Sequence, residues 1–308
     1  MLTPPLTGQP VSRLEGRAKV TGAAKYAGDY QAPDLLYGYV VNSTVTRGTI
    51  LSIDVSRATA LPGVAAVFTH ENRPRLAWFD IQYADMDMPP GAPFRPLHDA
   101  QIKYNGQPVA LVVAETFELA RYAASLVEVI CEPEPFSTDL SKNLEAARPP
   151  KVGIATFLKP PPPRSKGDFE AVYNASAAKA ALAFSHGTEH HNPLELFATT
   201  TIYEGAGKLT IYDKTQGAIN SQLYVGNVFG LHYKNVRVIS PYVGGAFGSG
   251  LRPQYQLFLS VMAALELKRS VRVTLDRKQM FSFGHRPPTI QYTRFGADAN
   301  GKVNALNH

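Results

Sequence analysis

The chain has 308 residues, of which 44% are hydrophobic and 18% charged, a globular composition that excludes a disordered or fibrous protein and is long enough for two domains. Its 31 basic and 25 acidic residues leave a formal net charge of +6, and the Lys and Arg residues are scattered, which excludes a nucleic-acid-binding arm. The single cysteine, Cys131, excludes an intramolecular disulfide and any zinc or iron–sulfur site built from this chain alone.

Met1 to Pro10 lacks a charged stretch followed by an apolar core, so no signal peptide is expected. No segment approaches the ~20 apolar residues of a membrane span. A soluble, cytoplasmic protein is expected, with co-export on a partner's signal left open. The first segment, 12–135, mixes strand and helix signals. Strands are predicted at 36–41, 48–55, 64–68, 109–114 and 127–131, with a short helix at 56–60 and a longer one at 115–126 whose Phe117, Ala120, Ala124 and Val127 share a face. The Pro- and Met-rich stretch from Arg73 to Pro96 reads as a surface loop. Residues 136–167 carry Pro149-Pro150 and the run Pro160 to Pro163, which regular structure rejects, so they read as a linker. The second segment, 168–308, opens with predicted strands at 199–203 and 208–212 joined by Glu204-Gly-Ala-Gly207, a hairpin signal. A helix at 218–230, a strand at 236–240, a helix at 254–267 and strands at 271–275 and 292–297 follow. The fold class is α+β.

The most informative stretch is Val236-Arg-Val-Ile-Ser-Pro-Tyr-Val-Gly-Gly-Ala-Phe-Gly-Ser-Gly250. A buried strand runs into a glycine-rich turn and a helix follows. Glycines permit positive φ and close approach, so successive backbone N–H groups can point at one anion. Three readings are open from the residues alone. The turn can be a tight connection without a ligand. It can be a dinucleotide-binding turn, with Asp276 at the end of the next strand as the ribose-binding acid, although the Gly-x-Gly-x-x-Gly spacing is absent and Arg252-Pro253 interrupts the passage to the helix. Or it can hold a metal-oxo, phosphate or carboxylate group by its main chain.

Val243-Gly-Gly-Ala-Phe-Gly-Ser-Gly250 resembles the Gly-Gly-Gly-Phe-Gly-Gly-Lys signature of the molybdenum-binding subunits of the xanthine dehydrogenase/aldehyde oxidase family. Four other stretches resemble family landmarks in the same order: Gly16-Arg-Ala-Lys-Val-Thr-Gly22 with Lys25-Tyr-Ala27, Asn105-Gly-Gln-Pro-Val-Ala110, His191-Asn-Pro-Leu-Glu195 and Thr215-Gln216. The resemblance implies a hammerhead-type α/β domain over 12–135 and the first part of a molybdopterin-binding domain over 168–308. It implies that the Gln216 side-chain amide lies near the apical oxo ligand of molybdenum, and that Gly244, Gly245, Ala246, Phe247 and Gly248 offer backbone N–H groups to an oxygen ligand. Neutral donors suit such a group because they demand no counter-charge.

The implied function is oxidation of a small molecule with oxygen derived from water, on a molybdenum–molybdopterin cofactor of the cytosine dinucleotide form. Electrons would leave through 2Fe-2S and FAD cofactors on an iron–sulfur subunit and an FAD subunit. Family chains are longer, and their later part carries the catalytic base, so no catalytic residue is expected in this chain. A subunit equivalent to that C-terminal half is an expected partner, and a truncated, inactive fragment or assembly piece is the alternative. Four departures matter. Ala246 replaces a glycine, which a φ below zero tolerates. Gly250 replaces the signature lysine. Leu251 stands where the purine-oxidising branch has Glu, and Leu196 where the family usually has Pro, so an aldehyde or aromatic heterocycle is a better substrate than xanthine. Glu189 and Glu195 are read as solvated or interface carboxylates, the adjacent His190 and His191 as facing opposite ways, and His285-Arg286 as a turn near a partner chain.

Overall fold

The structure, a computed structural model, describes residues 8–77, 95–148, 166–282 and 284–308. In chain order the first segment forms α1 (Gly16–Val20), β1 (Leu36–Asn42), β2 (Gly48–Asp54), α2 (Ser56–Thr59), β3 (Val64–Thr69), β4 (Gln101–Ile102), β5 (Pro108–Ala114), α3 (Phe117–Ala124) and β6 (Glu128–Pro133). The second forms α4 (Phe169–Ala175), β7 (Ala178–His186), β8 (Glu189–His190), β9 (Ala198–Tyr203), β10 (Leu209–Asp213), α5 (Ala218–Phe229), β11 (Val236–Ile239), α6 (Tyr255–Leu267), β12 (Val271–Thr274), β13 (His285–Arg286), β14 (Thr289–Ala297) and β15 (Val303–Asn307).

Strands of both segments share one seven-stranded sheet, ordered β11-β10-β9-β12-β1-β5-β3. The join is the parallel pair β1/β12, with Leu36 opposite Val271 and Gly38 opposite Val273. Only β10/β11 is also parallel, while β9/β10, β9/β12, β1/β5 and β3/β5 are antiparallel. This mixed sheet rules out the dinucleotide-binding alternative, which needs a mostly parallel one. Asp276, its candidate ribose acid, instead accepts from Tyr39 Oη at 2.7 Å and from the Gln279 N–H at 2.8 Å.

The core follows from strand alternation. β5 is buried on both faces. Leu111 and Val113 join the cluster built on α6, whereas Ala110 and Val112 pack with Ala58 of α2 and Ala123 and Ala124 of α3. Thr116 caps α3, its Oγ1 accepting the Leu119 N–H at 3.1 Å. Residues Tyr255 to Ala264 of α6 are all buried, as in a helix apolar on every side. Each large side chain so buried contributes roughly 1.5–3 kcal/mol. Gly38 allows the join, because a Cβ there would meet Val273 Cγ2 at 2.8 Å and Leu111 Cδ1 at 3.0 Å. Gly38→Ala is expected to lower stability by about 1–3 kcal/mol through overpacking, read as a lower denaturant midpoint at unchanged slope.

β7 pairs along its whole length with β14 in the separate sheet β15-β14-β7. The stretch read as a surface loop is described only at its ends, where Arg75 is exposed, Arg73, Pro74, Leu76 and Ala77 are half-buried, and Arg95 and Pro96 are buried. Ala77 N–H donates to Val228 O of α5 at 3.1 Å, the buried Arg95 lies 5.1 Å from the Tyr224 ring centroid, and Leu97 is buried. Residues 78–94, and 149–165 with both proline runs, lie outside the described residues. Within the expected linker, Ser141–Ala146 forms an exposed 3-10 helix. No helix among the described residues is long and apolar enough to cross a membrane.

Candidate functional site

β10 and β11 run parallel, side by side, so their C-terminal ends open at the same edge of the sheet. β10 delivers Asp213, Lys214, Thr215 and Gln216, and β11 delivers the glycine-rich turn. Hydrogen bonds tie the two together. The Gln216 N–H and the Thr215 hydroxyl both donate to Gly250 O, at 2.7 and 3.1 Å, and Ser240 Oγ donates to Thr215 O at 3.0 Å. A Cβ on Gly250 would meet the Gln216 backbone nitrogen at 3.4 Å, so the residue in place of the signature lysine lies directly against Gln216.

The turn is held open from behind. Gly245, Phe247 and Gly248 have φ of 92°, 54° and 94°, while Ala246 stays out of the left-handed region. A left-handed phenylalanine is strained, and such strain persists only where the surroundings fix it. Here Ser249 fixes it, through its N–H and its Oγ, both donating to Ala246 O at 3.0 and 2.8 Å. Left-handed residues on both sides of Ala246 bend the chain sharply here, the kind of backbone that can gather N–H groups into a concavity. Among the described residues, the N–H groups of Ala246, Phe247 and Gly248 find no acceptor. Phe247 is 75% exposed, and Gln216, Gly245 and Gly248 are exposed beside it.

The segment His191-Asn-Pro-Leu-Glu195 packs behind this turn. Gly244 N–H donates to Glu195 Oε2 at 2.6 Å, and Glu195 N–H donates back to Gly244 O at 3.2 Å. Pro193 lies 3.3 Å from where a Gly245 Cβ would stand, and His191 Nδ1 donates to Gly284 O. Beneath it, Asp213 is buried and accepts from Thr199 Oγ1 at 2.6 Å and Ser221 Oγ at 2.9 Å. Burial pushes Asp213 up to about 6 against the pull of those hydroxyls and of Lys214. It pushes Lys214 down to about 8, opposed by Glu195 and Asp213, and raises Glu195 above the usual carboxylate range. Cavities flank the turn. One of about 570 Å³ opens beside Glu195, Gly244, Tyr26 and Arg272, and one of about 880 Å³ beside Gly248, Ser249, His190 and His285.

Two family descriptions match this chain. "Aldehyde oxidase and xanthine dehydrogenase, a/b hammerhead domain" matches residues 21–135, and "Molybdopterin cofactor-binding domain" matches residues 157–308. The chain belongs to the xanthine dehydrogenase/aldehyde oxidase family. It is 33% identical over 98% of its length to the aldehyde oxidoreductase molybdenum-binding subunit PaoC of Escherichia coli, of which it covers 39%. It is 26% identical over 96% of its length to the nicotinate dehydrogenase large molybdopterin subunit of Eubacterium barkeri, covering 67% of that protein. Quinoline 2-oxidoreductase of Pseudomonas putida superposes with a TM-score of 0.79 at 25% identity, over 97% of this chain and 38% of the other. The chain thus spans about two fifths of the first curated relatives it matches.

In this family member, the sequence-predicted residues Gln216, Gly244, Gly245, Ala246, Phe247 and Gly248 lie at one sheet edge, around the Thr215-Gln216 and Gly250 contacts. Three others were not expected there. Glu195, read as a solvated or interface carboxylate, is half-buried and bonded to the turn. Asp213 and Lys214 carried no motif beyond their place before Thr215-Gln216. His285-Arg286 is a short strand on β8 rather than a turn, with Arg286 paired to Glu189 at 2.5 Å, and Pro287-Pro288 ends it for lack of N–H donors. His190 packs on Phe281 and His285. Burial, and the neighbouring His190 and His191, push His285 down.

Proposed function

We propose that this chain forms part of the molybdenum-binding subunit of a hydroxylase that oxidises an aldehyde or aromatic heterocycle with oxygen taken from water. The observation that carries this reading is the row of N–H groups at Ala246, Phe247 and Gly248, without acceptors and beside an exposed Gln216 amide. Such a row suits the electron-rich oxygens of a molybdenum–molybdopterin cofactor. When bound, that cofactor supplies the two-electron redox chemistry. Gly244 and Gly245 keep the turn free of side chains, the three N–H groups would hold the cofactor, and the Gln216 amide would be a further neutral donor to it. No side chain of this chain is a proposed ligand of the metal. Leu251, half-buried at the end of the turn, offers a purine no hydrogen bond.

The same reading divides the chain into a hammerhead unit, 12–135, and a cofactor-binding unit, 168–308, joined through β1/β12. It takes the cytosine dinucleotide form of the cofactor, partner subunits carrying 2Fe-2S and FAD, a further polypeptide that supplies the catalytic base, and the cytoplasm as the site of action.

Metal and pterin analysis of the chain purified with its neighbouring subunits tests the proposal. Near-stoichiometric molybdenum and pterin are expected, and a complex without either overturns it. Gln216→Ala is expected to cost roughly 10- to 100-fold in molybdenum retention or turnover. Its melting temperature should stay near the parent's, since the side chain is exposed and makes no hydrogen bond among the described residues.

A further inference from the structure

Behind the turn lie two charged groups that cofactor binding does not use. Lys214 is 1% exposed, and its Nζ has no hydrogen-bond partner among the described residues. It stands 4.5 Å from the centroid of the Phe197 ring, and the attraction of a cation for that face replaces only part of its lost hydration. Glu195 Oε1 is also buried and accepts no close hydrogen bond among the described residues, while Oε2 takes the Gly244 N–H. Lys214 and Glu195 attract each other but form no ion pair. Asp213, next to Lys214, is a poorer counter-ion because both its oxygens are taken by Thr199 and Ser221.

A buried ammonium without a hydrogen bond is costly. What it returns here is charge on the neighbouring carboxylate. Burial alone drives Glu195 toward its neutral form, and Asp29 adds to that drive, while Lys214 and the N–H groups of Gly244 and Ala27 oppose it. The form matters because a hydrogen bond to a carboxylate is roughly twice as strong as one to a neutral oxygen. The 2.6 Å bond to Gly244 has the length of the charged kind.

We propose that Lys214 is a positioning residue for the glycine-rich turn: its ammonium keeps the Glu195 carboxylate ionised, and that carboxylate grips the Gly244 N–H and fixes where the turn begins. Lys214 is 1% exposed, so it acts through Glu195 and not on a ligand at the surface. The device acts on the turn whether or not a cofactor is present, so it stands apart from the functional proposal above.

Hydrogen–deuterium exchange of the peptide spanning 241–251 tests this on the full chain, measured against pH and corrected for intrinsic exchange. In the parent, protection of the turn should fall as pH is lowered through the titration of Glu195. Lys214→Met keeps the bulk and removes the charge, and should move that fall to higher pH by one pH unit or more, with roughly tenfold faster exchange in between. Glu195→Gln keeps an acceptor oxygen that cannot titrate, and should flatten the profile alone and in the double variant with Lys214→Met. A Lys214→Met profile that superimposes on the parent's overturns the proposal. Should that variant fail to fold, a pH-dependent step surviving in Glu195→Gln does the same.

Discussion

Asp213→Ala is expected to remove a large share of the stability of this chain. Asp213 is 2% exposed at the end of β10, and two buried hydroxyls, Thr199 Oγ1 and Ser221 Oγ, donate to it. Alanine orphans both donors and strips Lys214 of a second nearby anion. Breaking a buried charged group away from its partners costs about 3–5 kcal/mol, against a total of roughly 5–15 kcal/mol for a folded domain. Asp213→Asn keeps one acceptor oxygen, and its NH₂ can donate to Ser221, so a loss of about 1–2 kcal/mol is expected. The two variants also separate by pH. Burial raises Asp213 from 3.8 in the unfolded chain to about 6 in the folded one. Between those values the folded state holds a proton that the unfolded state has released, so this group's contribution falls as pH rises from about 4 to about 6, by roughly 3 kcal/mol in all, and is level above. Asp213→Asn should lose that slope. Denaturant midpoints of parent and variant at pH 4, 5, 6 and 7 decide it, and parallel curves would refute the assignment.

The turn was legible because it sits in a short motif whose chemistry is local, whereas Gln216 was singled out only by the family resemblance of Thr215-Gln216. A row of small residues after a buried strand limits what the main chain can do. What brings them together is the parallel pairing of β10 and β11, which the sequence suggests only as two strands with a helix between them. The groups that support the turn were harder to see. Glu195 lies 49 residues before Gly244, and nothing local marks it as bonded to that N–H. Lys214 reads as an ordinary solvated lysine until burial is known. The same limit explains the central join. β1 and β12 are both plain as strands, but their pairing spans the whole chain, and the small residue that permits it, Gly38, reads as a weakness in a strand. β7 was missed for a different reason. Ala178 to His186 is rich in alanine and nearly all exposed, so it shows neither strand composition nor alternation. Its nine residues are extended because β14 supplies a partner at each position.

The largest functional loss is expected from Gly244→Ala, and the size of the added group is not what decides it. A Cβ at Gly244 would stand 2.7 Å from Glu195 Cβ and 3.4 Å from Tyr26 Cε1. The first contact is with an atom fixed to the backbone, so no side-chain rotation relieves it. Either the turn or the segment before Phe197 must shift, and the reciprocal pair of hydrogen bonds between Gly244 and Glu195 lengthens in both cases. The cost to folding is modest, about 1–3 kcal/mol. The cost at the site is larger, because the N–H groups of Ala246, Phe247 and Gly248 move with the turn, and a misplacement of about 1 Å can cost on the order of 100-fold in rate. Molybdenum content and turnover should therefore fall together while the melting temperature falls only slightly. Ala246→Gly is the control. Its methyl occupies a position outside the left-handed region, so removing it should cost no more than about 1 kcal/mol through backbone freedom and leave molybdenum content near the parent's. If Gly244→Ala keeps its full molybdenum, the turn tolerates displacement and its N–H groups do not hold the cofactor. If Ala246→Gly loses as much as Gly244→Ala, general softening of the loop explains both, and the close contact between Gly244 and Glu195 has no special part in the site.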